Sequence, residues 1–181
     1  MAKVLVPLAD GCEEIEAVTI IDLLRRAGIE VVVAGLKPGM VTASRGVQLM
    51  PDITLDAALQ QEYDMIVLPG GMPGAANLKE DARIIRQLEK MAAAGKYTAA
   101  ICAAPMVLAK AGLLEGKQAT SYPGFLDALP GVIVSTAAVV QDGTVLTSRG
   151  PGTAMDFSLA LVEVLVGAAQ RQQVEAALVR P

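Results

Sequence analysis

The sequence predicts an α/β sandwich built on a mostly parallel central sheet, and three observations lead there. Apolar runs bounded by turn residues alternate with helix-period segments from the first residue to about position 120, the pattern of repeated β-α-β units. With 181 residues and 53% hydrophobic content the chain can bury one good-sized core but is short for two, so residues 1–181 are read as one domain. No apolar run approaches the roughly 18 uninterrupted residues of a membrane-spanning helix. The apolar content therefore belongs to that core.

The elements follow in order. KVLVPL (3–8) reads as a buried strand that runs into Asp10-Gly11, then a helix from about Glu13 to Ala27 with Gly28 as its stop. EVVVAG (30–35) is the second strand. Residues 41–43 and 47–50 flank Ser44-Arg45-Gly46 as a short hairpin. MIVLPGG (65–71) is a third buried strand ending in two glycines, followed by a helical stretch best formed over 82–94. TAAIC (98–102) is a strand that stops at a cysteine. A helix restarts over 103–111 with Pro105 in its first turn, where a missing N–H costs nothing. Short β segments at 118–121, 132–134, 138–141 and 145–147 come next, the last two joined by an Asp142-Gly143 turn. Helices over 154–166 and about 169–178 complete the pattern, with Thr153 as the expected N-cap of the first.

Composition excludes several functions. Fifteen Lys and Arg against 19 Asp and Glu, a formal charge of −4, and no Trp argue against specific nucleic-acid binding, which uses a basic face and stacking aromatics. The two cysteines, Cys12 and Cys102, lack metal-site or disulfide-framework spacing. The opening MAKVLVPLADG carries no signal-peptide pattern, so a reducing cytoplasmic location is expected. The chain contains no histidine, which removes Cys-His and Ser-His-Asp hydrolysis and His-ligated zinc unless another chain supplies the imidazole. Any chemistry must rest on carboxylates, thiols, hydroxyls and backbone donors.

Cys102 is the first candidate. A strand that ends in cysteine and turns sharply into a helix places the thiol at the carboxyl edge of a parallel sheet, where such folds bind ligands. Ala99, Ala100, Ala103 and Ala104 permit the tight turn, and the following helix start is expected to lower the thiol pKa from about 8.5. A strand-end cysteine is equally a common buried structural residue. Glu16 is the second candidate. It shares a helical stripe with Ile20, Leu23 and Ala27, an apolar setting that should desolvate the carboxyl and raise its pKa. A protonated Glu beside the sulfur would serve as acid and base in turn, although the stem of a lone Glu also packs in this way with its head in water. Gly70-Gly71 and Ala103 N–H are candidate oxyanion donors.

Together, GCEEIEAV (11–18), LPGGMPGA (68–75), AAICAAP (99–105) and LTSRGPGT (146–153) closely resemble the ThiJ/PfpI superfamily, in its DJ-1 branch and especially the bacterial YajL-like members. The resemblance spans nearly the whole chain. It implies a flavodoxin-like three-layer α/β/α sandwich, related to class I glutamine amidotransferases, that forms a homodimer and needs no cofactor. It also implies Cys102 as the elbow nucleophile, Glu16 hydrogen-bonded to it, and Gly71 and Ala103 as oxyanion donors. Arg45 and Arg149 match arginines near the site, and Arg26 matches one in the first helix. The implied activities are conversion of methylglyoxal to lactate without glutathione, deglycation of early glyoxal adducts on proteins and nucleotides, sensing of oxidants through cysteine sulfinate, and chaperone action. Tyr122 stands where many relatives place a histidine, so protease and amidotransferase readings fail.

Overall fold

The computed structural model describes residues 1–180. Its strands are β1 (Lys3–Leu8), β2 (Glu30–Gly35), β3 (Val41–Thr42), β4 (Gln48–Leu49), β5 (Ile53–Thr54), β6 (Met65–Leu68), β7 (Tyr97–Ile101), β8 (Gln118–Ala119), β9 (Ile133–Val134), β10 (Val139–Asp142) and β11 (Val145–Ser148). The helices are α1 (Glu14–Arg26), α2 (Leu55–Ala58), α3 (Gly74–Glu80), α4 (Ala82–Ala93), α5 (Pro105–Lys110), α6 (Ala154–Val166) and α7 (Ala168–Ala177). Seven strands form one sheet in the order β10-β11-β7-β6-β1-β2-β5, and every neighbouring pair is parallel except β10 with β11. This is the flavodoxin-like α/β fold.

Strands β1 and β6 lie at the middle of the sheet and have helices over both faces. Val4, Leu5 and Val6 of β1 and all four residues of β6 are accordingly without exposure, which is why both read as unbroken apolar runs rather than alternating ones. On one side α1 packs against α6 and α6 against α7; on the other α3, α4 and α5 pack among themselves. Helix α4 shows the sequence logic best. Asp81 caps it by accepting the Arg83 N–H at 2.9 Å, a contact worth about 1 kcal/mol, and Ile84, Leu88 and Met91 recur along its buried face. Gly28, at φ +74°, ends α1 in the left-handed conformation that glycine adopts without strain.

One strand lies outside the sequence pattern and one local expectation changes. Ile53–Thr54 pairs with the end of β2 as an edge strand, yet two residues are too short to show a period. Thr153 does precede α6, but its side chain caps nothing there. A short 3₁₀ turn over Pro151–Thr153 intervenes, and the Thr153 hydroxyl instead accepts the Gly150 N–H at 3.1 Å and shares a 2.7 Å hydrogen bond with Ser148.

Candidate active site

The carboxyl ends of β6, β7 and β11 meet at Cys102. The strand hydrogen-bonding of β7 stops at Ile101, and Cys102 takes φ +64°, a left-handed conformation that costs a non-glycine residue about 1–2 kcal/mol. Neighbours on both sides hold it there. The Cys102 N–H donates to the Ser148 carbonyl at 3.0 Å, and the Tyr122 N–H donates to the Cys102 carbonyl at 2.8 Å. Pro105 then opens α5 at its first position.

Glu16 comes to this point from α1, on the stripe that buries Ala17, Ile20 and Leu23. Its carboxyl has no solvent exposure. One oxygen, Oε2, accepts the Gly70 N–H at 2.8 Å, while Oε1 is buried with no hydrogen-bond partner. Burial pushes the carboxyl up to about 7, against the pull of the Gly70 N–H and the Cys102 thiol. A half-satisfied buried carboxyl favours its protonated form, whose O–H can then be offered to a group beside Cys102.

The thiol behaves differently from expectation. Burial, followed by the charge and hydrogen bond of Glu16, pushes it up to about 12, and N–H groups of Gly71 and Ala103 oppose the rise without cancelling it. Helix α5 has only six residues, so its dipole is a weak counterweight to desolvation. Burial and the neighbouring carboxyl thus both oppose ionisation of the thiol, and the two groups, in contact, titrate as a pair.

The glycines are required by shape. A Cβ on Gly70 would fall 2.6 Å from Cys102 Cβ and 2.8 Å from Glu16 Oε2. At Gly71, φ is +84° and a Cβ would lie 2.3 Å from the Glu13 nitrogen. Their roles divide. The expectation that Gly70 donates to a reacting oxygen is corrected, because its N–H is engaged by Glu16; the donors directed at the sulfur are Gly71 and Ala103.

Of the remaining sequence candidates, Tyr122 joins the site through its backbone, and its half-exposed ring stands edge-on to Phe125 with centroids 6.4 Å apart. Arg149 follows β11, half-buried, with its N–H on the Ala138 carbonyl at 3.2 Å and no ion pair among the described residues. Arg45 sits exposed on the β3–β4 hairpin. Its N–H donates to Glu14 Oε1 at 2.8 Å, and its guanidinium reaches only the Ser44 carbonyl. Arg26 pairs with Asp22 on α1. Cys12 is fully buried; its burial and then the charge of Glu14 push its thiol up to about 12.

Sequence reasoning missed the frame around these residues. The Ser44 hydroxyl shares its proton between Glu13 and Glu14, and against the penalty of burial Glu14's own N–H, the Ser44 hydroxyl and the Arg45 N–H hold Glu14 below the usual carboxylate range. Thr147, fully buried, accepts the Thr120 N–H at 2.9 Å and so fixes the segment that reaches Cys102 through Tyr122. Isolated Ser and Thr carry no periodic signal that would have exposed them. Among the described residues, no three His, Cys, Asp or Glu side chains gather as metal ligands, and no helix is long and apolar enough to cross a membrane.

A model of the DJ-1/PfpI family matches residues 2–164 of the chain. Protein DJ-1 homolog B of Arabidopsis thaliana is 46% identical over 167 residues; the match covers 91% of this chain and 38% of that protein. A deglycase of Pyrococcus abyssi is 36% identical over 166 residues, covering 90% of this chain and 99% of its own. Among solved structures, oxidized Toxoplasma gondii DJ-1 superposes with a TM-score of 0.95 at 44% identity, over 98% of both chains.

Proposed function

Because this chain belongs to the DJ-1/PfpI family, we propose that it is a cofactor-independent cysteine enzyme acting on methylglyoxal, glyoxal or their early adducts with proteins and nucleotides. The observation that carries this reading is the Glu16 carboxyl, held by Gly70 on one oxygen and free on the other beside the Cys102 thiol. A buried acid of intermediate pKa next to a nucleophile is suited to moving protons at neutral pH.

With methylglyoxal, the ionised Glu16 takes the thiol proton as the sulfur attacks the aldehyde carbon, giving a hemithioacetal whose oxygen is met by the Gly71 and Ala103 N–H groups. Glu16, protonated by the thiol, gives that proton to the hemithioacetal oxygen. Ionised again, it removes the hydrogen on that carbon as a proton to leave an enediolate and returns it to the neighbouring carbon, while the proton on the hemithioacetal oxygen passes to the neighbouring oxygen. This leaves a thioester of lactate on Cys102. Water cleaves it to lactate and the free thiol. In this scheme the raised proton affinity of the thiol is met by Glu16, which takes the proton as the sulfur attacks, so no standing thiolate is needed. With an amine adduct, a carbinolamine, the sulfur displaces nitrogen at the same carbon: the C–S bond forms as the C–N bond breaks, and Glu16 passes the thiol proton to the departing amine, leaving the same hemithioacetal.

The test is lactate formation from methylglyoxal, and from a methylglyoxal-treated peptide, by wild type, Cys102→Ser and Glu16→Gln. Loss in both variants supports a catalytic pair; turnover that survives in Cys102→Ser rejects the scheme.

A second reading, oxidant sensing or redox-regulated chaperone action through sulfinate at Cys102, is favoured by the same donors. Two backbone N–H groups and a protonated Glu16 provide three hydrogen bonds for sulfinate oxygens. Oxidized Toxoplasma gondii DJ-1 is a structural relative. The reading is tested by mass spectrometry after peroxide treatment, with sulfinate at Cys102 expected in wild type.

We further propose, on the support of the four sequence motifs, that the chain is a bacterial YajL-like member of the family acting as a cytoplasmic homodimer. Ile15 and Val18 of α1, 56% and 47% exposed on a helix whose other face is buried, provide an apolar surface for a second copy.

A further inference from the structure

A cavity of about 290 Å³ opens where β1 and β2 end, against the corner between α3 and α4. The position is one that parallel sheets use for ligands, outside the carboxyl ends of the strands. It is separate from the thiol site, for neither Cys102, Glu16, Gly70 nor Gly71 lines it.

Its lining divides into three parts. Leu8 and Val41, 1% and 5% exposed, make an apolar floor, and Met40, 61% exposed, overhangs the rim. On one wall two acceptors are fixed in place. Asp10 Oδ1 takes the Thr42 N–H at 3.0 Å and leaves Oδ2 free, while Asn77 donates from Nδ2 to the Asp10 carbonyl at 3.0 Å and leaves its amide oxygen free. Glu80 adds a carboxylate and Lys37 an ammonium, and neither makes an ion pair among the described residues. Arg83, by contrast, is consumed by Asp81, Asp56 and the Leu36 carbonyl, so Lys37 is the lining cation with open valences.

We infer that this cavity binds a free α-amino acid with an aliphatic side chain. The ammonium is received by Asp10 and Asn77, with Glu80 nearby, the carboxylate by Lys37, and the hydrocarbon by Leu8, Val41 and Met40. Charges of both signs around an apolar floor match a zwitterion better than a simple amine or a simple acid, each of which would leave one sign unanswered. The volume lies at the small end of ligand pockets, which run from about 300 Å³ upward, and so suits a molecule of this size rather than a nucleotide.

The experiment is calorimetric titration of the full chain with L-leucine, leucinamide and 4-methylpentanoate, for wild type, Asp10→Asn, Lys37→Gln and Cys102→Ser. These lining residues are exposed, and Asp10→Asn keeps the acceptor for Thr42, so the fold is retained. Saturable binding of leucine is expected, weakened about tenfold or more in Asp10→Asn and in Lys37→Gln, and about tenfold or more for both analogues, the range of one charged hydrogen bond. Cys102→Ser should bind as wild type does, which separates this site from the proposed reaction. The inference is overturned by absence of saturable heat up to about 10 mM leucine, by leucinamide or 4-methylpentanoate binding as well as leucine, or by either lining variant staying within about threefold of wild type. Loss of binding in Cys102→Ser would place the ligand at the thiol and overturn it equally.

Discussion

The Gly70 N–H donates to Glu16 Oε2 at 2.8 Å, and this one bond, formed between the end of β6 and the first turns of α1, aims the other carboxyl oxygen at the Cys102 side of the site. The carboxyl is thus positioned by backbone rather than by another side chain, and its environment rather than a charged partner sets its proton affinity.

Glu16→Gln keeps the shape and removes the titration. Turnover of methylglyoxal should fall by roughly 10²–10⁴ in kcat, the usual worth of a general base, with a smaller change in KM. In wild type the rate should rise with pH through about 7 as the carboxyl ionises. That limb should vanish from the pH–rate profile of any residual Glu16→Gln activity.

The same group couples stability to pH. Its value of about 7 in the folded chain lies above the ordinary 4.5, so the folded chain holds a proton that the unfolded chain releases. This contribution is complete below pH 4.5 and lost as pH rises through 7. Glu16→Gln should therefore gain stability on wild type between pH 5 and 8 by an amount on the order of 3 kcal/mol, read as the pH dependence of the urea midpoint.

Gly71→Ala should be poorly tolerated. Both the positive φ and the 2.3 Å approach to the Glu13 nitrogen, a backbone atom that cannot swing away, oppose the added methyl. A loss of about 2–4 kcal/mol in denaturant titration is expected, together with lost reactivity of Cys102 toward peroxide.

Thr147→Val removes the acceptor of the buried Thr120 N–H and should cost about 1–3 kcal/mol, while Thr147→Ser restores most of it. Tyr122→Ala, which leaves its backbone N–H on Cys102, should change unfolding free energy by less than about 1 kcal/mol.

Val18→Glu places a charge on the exposed apolar side of α1. In sedimentation the wild type should run at twice 18.7 kDa and the variant at 18.7 kDa.

What the sequence made legible follows the physics of pattern. The long strands and helices were readable because burial writes a period into them: β1 and β6 as unbroken apolar runs, α4 as a stripe. Glu16 was readable for the same reason, as a carboxyl in a row of apolar residues. The proton affinity of Cys102 was not, because a helix start in the sequence says nothing of how deeply the sulfur is buried. Nor could Gly70 and Gly71 be told apart, since the direction of two successive N–H groups depends on a backbone turn that two glycines leave open. Arg45 shows a related gap: a match to a family position does not say that its side chain turns toward Ser44.

Cys12 and Cys102 together make a built-in counter of folded molecules. Both sulfurs belong to buried residues, but Cys102, at 8% exposure, is the one within reach of a small reagent, whereas Cys12 at 0% is released only when the loop between β1 and α1 comes apart. Alkylation followed by mass spectrometry should thus record one label per intact chain and two per opened chain, so that the rate of the second label times the loosening of this corner without any engineered probe.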